Sequence, residues 1–164
     1  MLNKLKKEFF EIENRTDISQ EEKIHQLIII GSSVSSVVAT QPIPFADIFI
    51  LSPIQVYIGT RIGAVRGFKL SEKETKDLII EISGVVGLGF LAQQTILAIY
   101  KIGLPFIAGF TTIPLVFAAT YAICKVMDAY FVQKIKGETL SKDNMKIIYK
   151  KAKKESKKYK WVMN

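Results

Sequence analysis

The sequence predicts an all-α fold, a compact bundle of five or six helices in which two long apolar helices form a hairpin inserted in a membrane. The first reason is that apolar residues recur with a helical period along all 164 residues, and no stretch alternates as β-strands do. The second is that apolar residues make up 49% of the chain and the mean hydropathy is +0.23. The third is that two runs, 82–100 and 102–124, contain no charged residue and are long enough to span a bilayer.

The first region, residues 1–18, alternates charged residues with apolar ones that include Phe9 and Phe10. This pattern is typical of an amphipathic helix. The start lacks a long apolar run and a small-residue cleavage site, so the sequence predicts no secretory signal. A single thiol, Cys124, is typical of a reducing compartment.

An apolar helical domain is predicted over residues 19–137. Its first helix begins after Ser19, because Ser19 and Glu22 have the spacing of a capping box, and it extends to about residue 40. Pro42 and Pro44 end this helix, since proline lacks a backbone N–H and disfavours the helical conformation in the residue before it.

The next helix, over residues 45–67, carries glycine at every fourth position near its end. Glycines at this spacing allow another helix to approach closely. The predicted helix-packing positions are Gly59, Gly63 and Gly67, together with Gly84 and Gly87 further along. For Gly67 the alternative is that it only ends the helix, because glycine readily adopts the left-handed conformation of a helix C-terminus.

Ser71 and Glu74 form a second predicted capping box, which begins a helix of about 30 residues that extends to Lys101. A turn then leads to Pro105 and the last apolar helix, which continues to about residue 136 and ends at Gly137. Two such spans place both termini on one side of a membrane, and the positive-inside rule makes that side the cytoplasm. The expected location is therefore the bacterial inner (cytoplasmic) membrane.

The alternative to a membrane protein is a water-soluble bundle whose apolar helices become buried through oligomerisation. Polar residues within the apolar runs bear on this choice. Gln93, Gln94 and Thr95 would bond to a neighbouring helix or, with Thr111 and Thr112, line a wet lumen.

Residues 138–164 form a predicted Lys-rich helix or tail, which Ser141 caps. Residues 141–164 carry nine lysines against two acidic residues, so an anionic lipid membrane is the expected partner. A solvated helix that keeps the protein soluble is the alternative, and nucleic acid is the least favoured partner. The predicted lipid-facing lysines are Lys150, Lys151, Lys153, Lys154, Lys157 and Lys158.

The sequence predicts no catalytic, cofactor-binding or metal-binding residues, and hence no enzyme. No glycine-rich phosphate loop with its lysine is present. One histidine, His25, and one cysteine are too few for a metal site of the usual kind. Cys124 lies in an apolar stretch, where an inert buried thiol is expected, and His25 is expected on a helix surface.

Asp47 stands out because it is an acidic residue among apolar ones, and such a group needs a partner. Arg61 and Arg66 are the candidate partners, and Gln55 lies two turns along. One interpretation is an ion-path or switch residue, and the other is an N-cap or structural ion pair. The predicted structural or functional corner comprises Pro42, Pro44, Asp47, Gln55 and Arg61.

Three short motifs bear on the family: Pro42-Ile-Pro44-Phe-Ala-Asp47, Ile54-Gln55 and Gly67-Phe-Lys-Leu-Ser71. Together with the apolar segments 84–94 and 102–124, they make residues 22–133 resemble the YcjF-type bacterial domain of unknown function, which is often found behind GTPase domains. The resemblance implies a helical, membrane-associated domain that acts as the membrane-facing or oligomerising half of a GTPase. This chain carries no GTPase motif, so a separate GTPase is the implied partner.

The expected function is that of a small helical membrane-associated protein that self-associates as a homo-oligomer. It would act as a membrane anchor, a remodelling element or a pore, without a cofactor. The alternative function is a soluble helical interaction module that partners a separate GTPase.

Overall fold

The structure is a computed structural model that describes residues 11–38, 46–87 and 105–162, with the side chains of 46–52, 105–112 and 160–162 left out. Its five helices are α1 (Gln20–Val38), α2 (Ala46–Val65), α3 (Glu72–Val86), α4 (Pro105–Ile135) and α5 (Lys142–Glu155). A 3-10 turn, Ile12–Asn14, precedes them, and a longer 3-10 segment, Ser156–Val162, follows. The described part of the chain is compact and contains no β-strand, so the all-α prediction is confirmed for it.

Serine side chains cap three of the helix starts, as predicted. The hydroxyl oxygens of Ser19, Ser71 and Ser141 each accept a hydrogen bond from the backbone N–H three residues on, at 3.1–3.2 Å. The full capping box forms only at Ser71, where the Glu74 carboxylate accepts from the Ser71 backbone N–H at 2.8 Å. At the start of α1 the predicted reciprocal bond is replaced, because the Glu22 carboxylate accepts from the Gln26 amide.

Glycines with positive φ follow three of the helices. Gly67 (φ +90°), Gly87 (φ +88°) and Gly137 (φ +73°) come after α2, α3 and α4, and glycine adopts this conformation at little cost. Gly137 therefore ends α4 as predicted. The prediction that the third helix continues to Lys101 is wrong, since α3 ends at Val86; residues 88–104 lie outside the described residues.

Helix α4 is the centre of the bundle, because it packs against all four other helices. It runs parallel to α2, as two contacts between them show. Near the middle of α2, Gln55 bonds to Thr120. Beyond its end, Arg66 bonds to Asp128.

The other three helices run in the opposite direction to α2 and α4. Glu21 near the start of α1 contacts Arg66 just beyond the end of α2, and Gly31 further along α1 packs on Ile58 nearer the middle of α2. Helices α1 and α2 are therefore antiparallel. The short turns after α2 and α4 reverse the chain into α3 and α5. The side chains buried at the centre include Leu27, Ile58, Ile82, Phe117, Tyr121, Met127 and Phe131.

This topology gathers the uncharged parts of four helices at one end of the bundle. We call residues 26–38, 48–60, 82–86 and 105–124 the uncharged end, and residues 11–25, 61–81 and 125–162 the charged end. Asp47, at the start of α2, is the acidic residue that lies beside the uncharged end. The sequence shows the uncharged runs, but their meeting at one end depends on the helix directions.

Candidate functional site

Apolar side chains are exposed on the described surface of the uncharged end. Val37 is 65% exposed, Val34 42% and Leu115 38%. Within the part of the chain that the structure describes, one helical stretch, Ile113–Ile135, is long and apolar enough to cross a membrane, and 61% of its most apolar window is buried inside the bundle. The most apolar described stretch therefore serves mainly as a protein core, although Leu115 within it is exposed.

Small polar side chains lie inside the uncharged end, between α1, α2 and α4. Gln55 is 2% exposed, and its amide donates to the Thr120 hydroxyl at 3.4 Å. Ser32 and Ser35 are completely buried, and their hydroxyls have no hydrogen-bond partner in the described structure. Leaving such a group unsatisfied costs about 1–3 kcal/mol, so this layer weakens the packing there. None of these groups titrates near neutral pH, which gives no basis for acid–base chemistry.

The predicted corner around Asp47 does not form an ion pair with Arg61 or Arg66. Residues 47 and 61 are 14 positions apart, and α2 is one continuous helix that separates them by about 21 Å. Arg61 instead pairs with Glu13 and lies over the Tyr57 ring at 4.9 Å. Pro42, Pro44 and the Asp47 side chain lie outside the described residues.

Arg66 forms the most extensive described ion-pair cluster, at the charged end. Its guanidinium donates to both carboxylate oxygens of Asp128, at 2.8 and 3.3 Å, and to Glu21 at 3.0 Å. The hydrogen bond to Asp128 raises the pKa of Arg66, and the bond from Arg66 lowers the pKa of the Glu21 carboxyl. The cluster links the start of α1, the end of α2 and α4, so its role is structural. Sequence reasoning missed it because the partners are 45 and 62 positions away.

The five predicted packing glycines fall into two groups. A Cβ at Gly59 would lie 2.8 Å from Thr75 Cγ2 and would overlap the end of the Met127 side chain, and one at Gly63 would lie 3.2 Å from Phe131. At Gly67, Gly84 and Gly87 no described atom lies within 4 Å of the added carbon. Close helix approach therefore involves Gly59 and Gly63, while Gly67 follows the last turn of α2 as a stop.

Helix α5 carries the predicted lysines, and it packs on the bundle through its opposite side. Met145, Tyr149 and Ala152 are buried and lie against α3 and α4, so the Lys-rich segment belongs to the folded body. We call the outward side the lysine face, since residues spaced three or four apart share one side of a helix. Its exposed members are Lys146, Lys150, Lys151, Lys154, Lys157 and Lys158, with exposed Ile147 among them, whereas Lys153 is half-buried at the margin.

The described residues contain no cluster of the side chains that usually bind a metal ion. No three His, Cys, Asp or Glu side chains come together there to hold a metal ion. Cys124 is completely buried, and the ring of His25 lies 3.5 Å from the Tyr159 hydroxyl. The predicted lumen residues 93–95 and the side chains of Thr111 and Thr112 lie outside the described part.

Comparison with known proteins found no matching family model, no matching curated protein and no matching solved structure. The resemblance to the GTPase-associated domain therefore stays a prediction. The functional argument rests on two surfaces, the uncharged end and the lysine face, and on their positions in the bundle.

Proposed function

We propose that this protein is a membrane-anchored helical module whose uncharged end is embedded in a bilayer and whose charged end stays in the aqueous phase. The observation that carries the proposal is the separation of charge along the bundle axis. Four helices that run in two directions all direct their uncharged parts to the same end. A water-soluble bundle gains nothing from this arrangement, whereas a lipid environment strongly disfavours charged side chains.

The length of α4 before its buried side chains supports embedding in one leaflet. Among the described side chains of α4, the first buried ones are Val116 and Phe117, which are 2% and 0% exposed. The helix backbone begins at Pro105, 11 residues before Val116, which is about 16 Å, while the hydrocarbon core of a bilayer is about 30 Å thick. This depth favours an anchor or a remodelling element over a pore. Asp47, at the N-terminus of α2, is placed where the helix dipole favours a negative charge.

The test compares two exposed apolar residues at opposite ends of the bundle. Val37→Lys adds a charge at the uncharged end, and Ile135→Lys adds the same charge at the charged end, where Ile135 is 57% exposed. We expect Val37→Lys to weaken binding of the full chain to zwitterionic phosphatidylcholine vesicles by at least about tenfold, since a buried lysine costs more than the 1.4 kcal/mol of a tenfold change. Ile135→Lys should bind as the unmodified protein does. Flotation with the vesicles measures both.

Equal binding of the two variants, or elution of the protein from cell membranes by an alkaline wash, would contradict the proposal. In that case the second candidate function gains support, a soluble helical interaction module for a separate GTPase. The observation that favours it is the burial of 61% of the apolar window in Ile113–Ile135, which gives the bundle a core without lipid. A monodisperse preparation in the absence of detergent is its expected sign.

A further inference from the structure

The lysine face of α5 is not used by the anchoring proposal, yet its position relative to the uncharged end is informative. Helix α5 runs antiparallel to α4, so the lysines near the end of α5 lie closer to the uncharged end than those near its start. Lys151 and Glu155 of α5 line one groove together with Lys125 and Asp128 of α4. The start of α5 is therefore the part farthest from the uncharged end.

The 3-10 segment after α5 fixes the level of the last lysines. The Tyr159 ring packs on Phe117 and Tyr121, with centroids 6.2 and 5.6 Å apart. Lys157 and Lys158 precede this tyrosine and are exposed, so they lie near the level of Phe117, beside the first described buried side chains of α4. In an end-on anchor this is the level of the lipid headgroups.

We infer that the upper part of the lysine face, Lys154, Lys157 and Lys158, binds the headgroups of anionic phospholipids. The inference rests on the proposed function, because the embedded end is what brings these three lysines to the membrane surface. The lower lysines, Lys142 and Lys146, lie 12 and 8 positions before Lys154 on α5, about 18 and 12 Å along the helix. Both separations exceed the Debye length of about 8 Å at physiological salt, so they contribute little.

The positive charge of the three upper lysines indicates an anionic ligand. The three upper lysines are exposed and have no ion-pair partner in the described structure, whereas Lys146 faces Asp143 at 3.9 Å. A lysine near an anionic membrane surface contributes about 1 kcal/mol. Removal of three such charges is therefore expected to weaken binding by about 100-fold.

Two triple variants with the same loss of charge test the inference. Lys154→Gln, Lys157→Gln and Lys158→Gln together form the upper variant, and Lys136→Gln, Lys142→Gln and Lys146→Gln, at the far end of the bundle, form the lower variant; all six side chains are exposed, and glutamine keeps the helix propensity. With vesicles of phosphatidylcholine and phosphatidylglycerol, we expect the upper variant to lose about 100-fold in affinity and the lower variant less than about threefold. Circular dichroism of both variants checks that the helices are retained.

The control vesicles separate this inference from the anchoring proposal. On pure phosphatidylcholine the upper variant should bind as the unmodified protein does, while Val37→Lys should still fail. Equal losses for the two triple variants, or no loss for either, would overturn the inference and leave the anchor standing. If Val37→Lys binds normally while the upper variant fails on anionic vesicles, the anchoring proposal fails instead. Binding to single-stranded RNA in preference to vesicles, with equal sensitivity to both variants, would assign the face to nucleic acid and also overturn it.

Discussion

The two ends of the bundle are built by different means. At the charged end, Arg66 joins three helices through ion pairs, and Ser71 begins a helix with a complete capping box. At the uncharged end the described residues form no ion pair, and the packed polar groups are neutral, as in the contact between Gln55 and Thr120. Buried hydroxyls without a described partner occur at both ends, at Ser32 and Ser35 and at Tyr149. The difference teaches that the charged end supplies most of the specific stabilisation in water. Under the anchoring proposal the uncharged end needs no ion pairs, because lipid disfavours charged side chains.

The largest effect on folding is expected from Phe131→Ala. The Phe131 ring is completely buried, stacks on Phe68 with centroids 5.4 Å apart and fills the space beside Gly63. Removing it should lower the free energy of unfolding by about 3–5 kcal/mol. Leu115→Ala at the uncharged end should cost about 1 kcal/mol or less, because Leu115 is 38% exposed. Urea titrations of both variants measure the difference, and similar losses would break the comparison.

The ion-pair cluster should give the next effect. Arg66→Met leaves Asp128 unpaired while its side chain is only 17% exposed, and breaking a buried pair in this way costs about 3 kcal/mol. Asp128→Leu removes the other partner, and the double variant should recover more than about 1 kcal/mol relative to the sum of the two losses. A double-mutant cycle by urea unfolding gives this coupling. Additive losses would show that the cluster does not hold α2 and α4 together.

Two helical glycines should respond to alanine with opposite signs. Gly59→Ala brings a Cβ to 2.8 Å from Thr75 Cγ2, and such overpacking costs about 1–3 kcal/mol. Gly84→Ala meets no described atom within 4 Å and should stabilise the protein by up to about 1 kcal/mol, since alanine has the higher helix propensity. Thermal unfolding of the two variants suffices, and a destabilising Gly84→Ala would mean that this glycine packs closely after all.

The features that could be predicted from the sequence are those that depend on neighbours along the chain. The sequence predicts Ser71, Ser141 and Gly137 at helix ends, because a cap or a stop acts within one turn. The ion pair between Arg66 and Asp128 could not be predicted in this way, since the two residues are 62 positions apart in the sequence. Similarly, nothing local distinguishes Gly87, which ends α3, from Gly84, which lies within the same helix. The candidate site follows the same rule: the uncharged runs and the lysines are local patterns, and their relative levels depend on tertiary packing.

The smallest expected effect belongs to the capping box at the start of α3, and it depends on pH. The Ser71 backbone N–H and hydroxyl donate to the Glu74 carboxylate at 2.8 and 2.7 Å, which lowers the pKa of Glu74 below its ordinary value of 4.5. The folded state then holds fewer protons than the unfolded state. The stabilisation is complete above pH 4.5 and is lost as the pH falls through the lowered folded-state pKa.

Ser71→Ala should cost about 1 kcal/mol at neutral pH through loss of the cap, and less at pH 3, because pH 3 lies below the ordinary pKa of 4.5 and part of the contribution of the Glu74 carboxylate is lost there. Glu74→Gln should remove the acid dependence of this box altogether. Glu21 keeps part of the acid sensitivity of the protein, because Arg66 lowers its pKa. Unfolding free energies at pH 3 and pH 7 test the pair of variants. An equal cost of Ser71→Ala at pH 3 and pH 7 would mean that the hydroxyl acts only on the backbone N–H of residue 74. The carboxylates would then contribute less to the stability of the charged end than the comparison of the two ends predicts.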